Sequence, residues 1–344
     1  SDLAVAYMQW NKLTEALVLL EEVLKKQQAM FGVDDPGTLR SMQNLAVAYE
    51  LAGRKGEALS LYESALPRIK AKLGTDHPDT LTCMCNLGAT YREVGRLADA
   101  LPLCEEAFAL RRSKLGEDHP DTLTSMNNLA VVYQASGRLD DALLLYEHTL
   151  KIQKVKLGIT HREPLTTMSN LASGYEEQEK HEVAESLFTQ VLEARRQNLG
   201  TEHPDIVDAL NQLGKSLLKQ NKFAAAEPLL RESLAFDENN LPDSWHYFSS
   251  KSLLGTSLLG QGETLLASDR ALAEKKFAEA EPLLLSGFEG MKAHQGQRPA
   301  KVVPRLRDTV EQLVQLYEAW GKTDQAEKWK RERAELKAAQ TEKK

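Results

Sequence analysis

Cysteine is scarce. Three of them, Cys83, Cys85 and Cys104, in a chain of 344 residues cannot build a disulfide framework, and one Cys-x-Cys lacks the second ligand pair that a zinc site needs. Cys104 stands where other stretches carry Tyr62, Tyr146 and Phe188, so it is expected in the core. So few cysteines fit a reducing compartment, and a cytoplasmic location is expected. Basic charge is also in deficit: 43 Lys plus Arg against 50 Asp plus Glu give a formal charge of −7. With no basic run, this argues against a nucleic-acid partner. No apolar run approaches the roughly 18 residues of a membrane helix, so no membrane insertion is expected. No secretory leader is expected either. The residues before Trp10 already match the middle of a repeat, so the chain is expected to begin inside a longer polypeptide. Catalytic signatures are missing as well: there is no Gly-x-Ser-x-Gly elbow, kinase glycine loop, His-Arg-Asp or Asp-Phe-Gly. No enzymatic activity, no cofactor and no metal are expected.

What the chain does have is a period. LGTDHPDTLTCMCNLGA at residues 73–89 returns as LGEDHPDTLTSMNNLA from Leu115, with weaker copies from Phe31, Leu157 and Leu199. The starts fall at 31, 73, 115, 157 and 199, always 42 apart. A fixed period in the 20–50 residue range marks a stacked array of supersecondary units.

Each period reads as two helices. In the best copy, Pro78 suits a first helical position, where its missing N–H costs nothing, and Asp79 in the first turn favours the positive helix end. Leu81, Met84, Leu87, Gly88 and Tyr91 follow at helical spacing. Gly95 stops the helix, the left-handed conformation being open to glycine. A second helix is expected from about Leu97 to Lys114, with Ala100, Leu103, Cys104, Ala107 and Leu110 on one face and Gly116 at its end.

The pattern Leu-small-x-x-Tyr recurs as Leu45/Ala46/Tyr49, Leu87/Gly88/Tyr91, Leu129/Ala130/Tyr133 and Leu171/Ala172/Tyr175, with Ala58, Ala100, Ala142 and Ala184 in the second helices. Small residues let the two helices approach, and Leu and Tyr fill the gap to the next pair. This resembles the tetratricopeptide repeat in its 42-residue form, and over roughly residues 1–235 the kinesin light chain type. The resemblance implies an all-α, right-handed superhelical solenoid. Extending the register gives about eight pairs. Leu3/Ala4/Tyr7 with Ala16 opens the first, and Leu213/Gly214 with Ala226 forms the sixth. Leu254/Gly255 opens a seventh whose Ala280 comes late, across an Ala/Leu-rich insertion at 263–276 expected to be helical. Leu313/Tyr317/Gly321/Ala326 makes the eighth. The charged stretch Lys328–Lys344 suits a polar cap, and Trp245, Trp320 and Trp329 are expected to close these last repeats. PDSWHYFSSKSLLGTSLLGQ, AEAEPLLLSGFEGMK and VEQLVQLYEAWGK, within Leu241–Trp329, resemble repeats attached to bacterial serine/threonine kinases of planctomycete type. The chain therefore divides into residues 1–240, of kinesin light chain type, and 241–344.

One first-helix position is not explained by packing. It precedes the signature Leu: Asn44, Asn86, Asn128 and Asn170. Asparagine competes for backbone hydrogen bonds and is poor in mid-helix, so four in register need a reason. An amide ladder offering donor and acceptor could hold an extended peptide, and the resemblance implies that use on a concave face. The alternative is a structural hydrogen bond between neighbouring helices. The same face is expected to carry Val47, Glu50, Ala89, Arg92, Glu93, Val131, Gln134, Ser173, Glu176 and Glu177, changing to Asp208, Gln212, Lys215 and Lys219 in the sixth pair. Co-chaperone repeats that grip a C-terminal carboxylate need Lys and Arg here in three successive repeats, which the first five do not offer.

His77, His119 and His203 each precede a Pro. Stacked helix layers set them about 10 Å apart, too far to share a metal at bonds of about 2 Å, so a loop role is expected. His161, without the Pro, is expected to be weaker. Glu105–Glu106 and Asp140–Asp141 are adjacent on helices and point apart, which excludes acid/base pairing. The expected function is a scaffold that binds an extended segment of a protein or peptide partner. Two other readings stay open: the regulatory arm of a larger signalling enzyme such as a kinase, and a self-association module.

Overall fold

The computed structural model describes residues 13–200, 203–294 and 299–341, and these form fifteen α-helices and no strand. They fall into two compact units, Ser1–Ile159 and Thr160–Lys344. The first holds α1 (Leu13–Phe31), α2 (Pro36–Leu51), α3 (Lys55–Leu73), α4 (Pro78–Glu93), α5 (Leu97–Leu115), α6 (Pro120–Ala135) and α7 (Leu139–Leu157). The second holds α8 (Arg162–Glu177), α9 (His181–Leu199), α10 (Pro204–Lys219), α11 (Phe223–Asn240), α12 (Trp245–Leu265), α13 (Arg270–Ala293), α14 (Pro299–Trp320) and α15 (Thr323–Thr341). Leu3, Ala4 and Tyr7 of the first pair lie outside the described residues.

The regular pairs join a 16-residue first helix to a 19-residue second one. Their starts are set by side-chain caps. Asp35 Oδ1 accepts the amide hydrogens of Gly37 and Thr38 at 2.9 and 3.1 Å. In the later pairs histidine takes this place: the Nδ1 atoms of His77, His119, His161 and His203 accept from Asp79, Asp121, Glu163 and Asp205 at 3.1, 3.2, 3.4 and 3.1 Å. The loop role expected of these histidines is therefore that of an N-cap, which satisfies one of the orphan amide groups at a helix start. His161, without the proline, makes the longest of the four bonds.

Except in α12–α13, the turns inside the described pairs use a left-handed residue. Gly53, Gly95, Gly137 and Gly321 supply it with φ between 75° and 81°. In α8–α9 the residue is Glu179 at φ 61°, and in α10–α11 it is Asn221 at φ 57°.

The core follows the small-large pattern. Ala58, Ala100, Ala142 and Ala184 are fully buried, as are Tyr62 and Tyr146. Cys104 is buried in the place of those tyrosines, against Gly88. A Cβ on Gly88 would stand 2.4 Å from the Cys104 sulfur, so the small residue sets how closely α4 and α5 approach. In the seventh pair the corresponding residue, Gly255, meets Leu284 and the Ala280 carbonyl. The register is thus kept across the insertion, which lengthens α12 and α13 to 21 and 24 residues. The 263–276 stretch is helical except for the turn at 266–269. At the C-terminal end, Trp329 packs edge-on to Phe288 at 5.0 Å between ring centroids, and Trp320 lies 5.9 Å from Phe277. Trp245 stacks on its neighbour His246.

Candidate functional site

Within each unit the first helices of successive pairs touch one another directly: α2 with α4 and α4 with α6 in the first, α10 with α12 and α12 with α14 in the second. They therefore line the tighter, inner side of their unit. Side chains lace this layer together. Thr90 donates to the Glu50 carboxylate, Gln43 Nε2 to the Asp79 carbonyl at 3.3 Å, and Ser216 to Glu176 Oε1 at 2.6 Å. Burial pushes the Glu50 carboxyl up from its ordinary range, against the lowering pull of Thr90 and Tyr62. Glu176 is buried and also pairs with Lys219 at 3.0 Å.

The four asparagines sit half-buried on α2, α4, α6 and α8, and their surroundings differ. Asn86 lies in hydrogen-bonding reach of the Tyr62 hydroxyl. The residue that stands to Asn44 and Asn128 as Tyr62 stands to Asn86 is Leu20 and Cys104, neither of which offers a hydroxyl. The amides of Asn44 and Asn128 make no hydrogen bond with any described residue. Asn170 has an interaction of its own. The ladder is chemically uneven, and the second helix of the preceding pair decides which rungs are open.

The neighbours expected beside them divide in the same way. Val47 and Val131 are half-buried apolar surface. The Ser173 hydroxyl is turned back onto the Ser169 carbonyl at 3.0 Å. Gln134 Oε1 accepts from Tyr146 at 3.2 Å. Glu93 is tied to Lys55 at 2.7 Å and touches Arg92 at 3.5 Å. Sequence reasoning placed Glu50 and Glu176 on this face without seeing that they bind the next first helix. The signal was a hydroxyl, Thr90 or Ser216, forty residues further on.

No group of three or more His, Cys, Asp or Glu capable of holding a metal occurs among the described residues, and no described helix is long and apolar enough to cross a membrane. Burial drives the Cys83 and Cys104 thiols up to about 12, so neither is a ready nucleophile.

A family model for the tetratricopeptide repeat matches residues 1–71, 57–103, 84–154 and 163–239. The chain belongs to the tetratricopeptide repeat family. Its solved neighbours include a putative kinesin light chain with nearly identical TPR-like repeats from Podosopora anserina, 30% identical over 57% of this chain and 92% of that one, with a TM-score of 0.50. The apo form of the quorum sensor NprR from B. thuringiensis covers 97% of this chain and 86% of its own at a TM-score of 0.67 and 16% identity. A Rap protein complexed with Competence and Sporulation Factor covers 94% and 80% at 0.62 and 11%. These last two share the fold. No curated protein sequence matches. As a tetratricopeptide repeat protein of kinesin light chain-like type, the chain is an all-α helical repeat solenoid, a fold of protein–protein interaction scaffolds.

Proposed function

We propose that this tetratricopeptide scaffold binds an extended peptide segment of a protein partner along its first helices, with no catalytic step of its own. The observation that carries the reading is the pair Asn44 and Asn128: half-buried amides on the inner helices, each with a donor and an acceptor to offer and no described partner. An extended chain rises about 3.3 Å per residue, so about three residues span neighbouring helix layers about 10 Å apart. Main-chain contacts of this kind give affinity with little sequence preference. Selectivity then falls to Val47, Val131, Arg92 and Glu93, with Gln134 and Ser173 at the margin. Asn86 and Asn170 complete the row, Asn86 chiefly through Tyr62. The test is a display screen of random peptides on the whole chain, followed by calorimetry on the peptides recovered. Peptides that bind the wild type and lose affinity on Asn128→Ala support the groove; binders indifferent to Asn44, Asn86 and Asn128 together overturn it.

The resemblance of Leu241–Trp329 to kinase-linked repeats supports a second use of the same scaffold, as the regulatory arm of a larger signalling enzyme. In that case the peptide ligand is the signal.

A further inference from the structure

In the second unit a cavity of about 260 Å³ opens where the start of α8, the end of α9 and the start of α10 meet. The chain around it departs from its own register. In the two preceding loops an aspartate is held by the lysine 38 residues further on: Asp76 by Lys114 at 2.7 Å and Asp118 by Lys156 at 2.5 Å. Here Thr160 stands for the aspartate, Asn198 for the lysine, and Arg162 for Pro78 and Pro120. The Asn198 amide donates to the Thr160 carbonyl at 2.9 Å, so the ion pair has become a neutral hydrogen bond. A carboxylate has left this loop and a guanidinium has entered it.

Two guanidiniums line the cavity. The Arg162 side chain makes no hydrogen bond or ion pair with a described residue. Arg195, half-buried on α9, donates Nη1 to the Asp205 main-chain carbonyl at 2.6 Å and pairs with no described carboxylate. Asp205 also lines the cavity, but its carboxylate forms no ion pair with either arginine. His203 is the third donor. Its Nδ1 accepts the Asp205 amide hydrogen, so the ring proton sits on Nε2. Leu165 and Leu199 supply apolar wall.

We propose that this cavity binds a small phosphomonoester. Arginine stays charged and its planar fork matches phosphate oxygens two at a time. A phosphomonoester carries a charge of about −1.5 to −2 at pH 7 and three strong acceptor oxygens. Three donor side chains, from the start of α8, from α9 and from the cap of α10, match that number. A carboxylate has two oxygens and one charge, and leaves a donor unmet. The cavity is larger than a phosphate group alone, and the organic part of the ester lies against Leu165 and Leu199. Arg162 precedes Asn170 on α8 by about two turns, so the site is separate from the asparagine row. A phosphate held there would join three packed helices and stabilise the fold by linkage.

The test is calorimetry with thermal melts on the whole chain, against glycerol 3-phosphate, inorganic phosphate and acetate. Glycerol 3-phosphate is expected to bind saturably, to raise the melting temperature, and to bind severalfold tighter than inorganic phosphate. Acetate is expected to do neither. Thr160→Asp returns the carboxylate of the earlier loops at an exposed position and leaves both arginines in place. It should weaken glycerol 3-phosphate at least about tenfold. Arg195→Gln, which installs the residue found in this register as Gln153, should do the same, while Asn128→Ala should change nothing. No saturable binding up to about 10 mM overturns the proposal, and so does acetate or inorganic phosphate binding as tightly as the ester. If Arg195→Gln fails to fold, Thr160→Asp decides: an unaltered affinity refutes the site.

Discussion

Glu179 shows how a single residue can depart from its register and still hold the shape. Its φ of 61° is the left-handed conformation in which a side chain costs roughly 1–2 kcal/mol. Glu179→Gly should raise the melting temperature slightly, because glycine removes that strain but adds freedom to the unfolded chain. An unchanged or lower value in a thermal melt would mean the turn is held by contacts of the glutamate itself. The position was legible in the sequence because Gly53, Gly95 and Gly137 mark it at the same period. The histidine caps were harder to read. Histidine is not among the usual N-cap residues, so it passed for a loop residue, although Asp35 in the same register was the clue. His119→Ala should cost about 1 kcal/mol in a urea titration, whereas a silent change would show that Pro120 alone sets the start of α6. The Nδ1 atoms of the histidines are engaged at helix starts, and adding chelator is expected to leave the helical circular dichroism signal unchanged; a loss of helix would overturn the capping role.

At the level of elements, the enlarged pair α12–α13 is the feature the period did not foretell. Helix was expected for 263–276, but the share taken by each helix was not, since an Ala/Leu-rich run carries no sign of where it will turn. The turn falls at 266–269, where Asp269 caps α13 by accepting from the Leu272 amide at 3.0 Å. The lengthened pair is pinned to α11 at its base. Glu227 on α11 accepts from Gln261 at 2.7 Å and Lys276 at 3.1 Å, and from Arg231 on its own helix at 2.8 Å. Burial works against the Glu227 charge, but these three donors outweigh it and hold the carboxyl down to about 2. The folded value lies below the unfolded one, so the stabilisation is present above the ordinary glutamate range near 4.3 and is lost as pH falls towards 2. The loss is on the order of 3 kcal/mol at 1.36 kcal/mol per unit. Acid titration of stability should show this slope in the wild type and a shallower one in Glu227→Gln. Equal slopes would place the acid sensitivity elsewhere.

Taken whole, the chain is a row of alike pairs, and alikeness is what a sequence displays best. The helix pairs as far as α10–α11, with their turns and buried alanines, could be located by counting in steps of 42. The candidate site was only partly legible. The position of the four asparagines followed from the period, but their availability depends on the residue that faces them from the preceding second helix. Leu20, Tyr62 and Cys104 break the alikeness there, and that relation exists in space rather than along the chain. The central claim is that the open amides of Asn44 and Asn128 bind a peptide main chain. Calorimetry of the Asn44→Ala/Asn128→Ala chain against a display-selected peptide, with a thermal melt alongside, tests it most directly. Alanine is the better helix former, so the melt should be unchanged or slightly higher, while binding weakens by roughly 1–3 kcal/mol. Asn86→Ala, which takes a partner from Tyr62, is the variant expected to lower the melting temperature. A double variant that binds as tightly as the wild type but melts well below it would contradict the account.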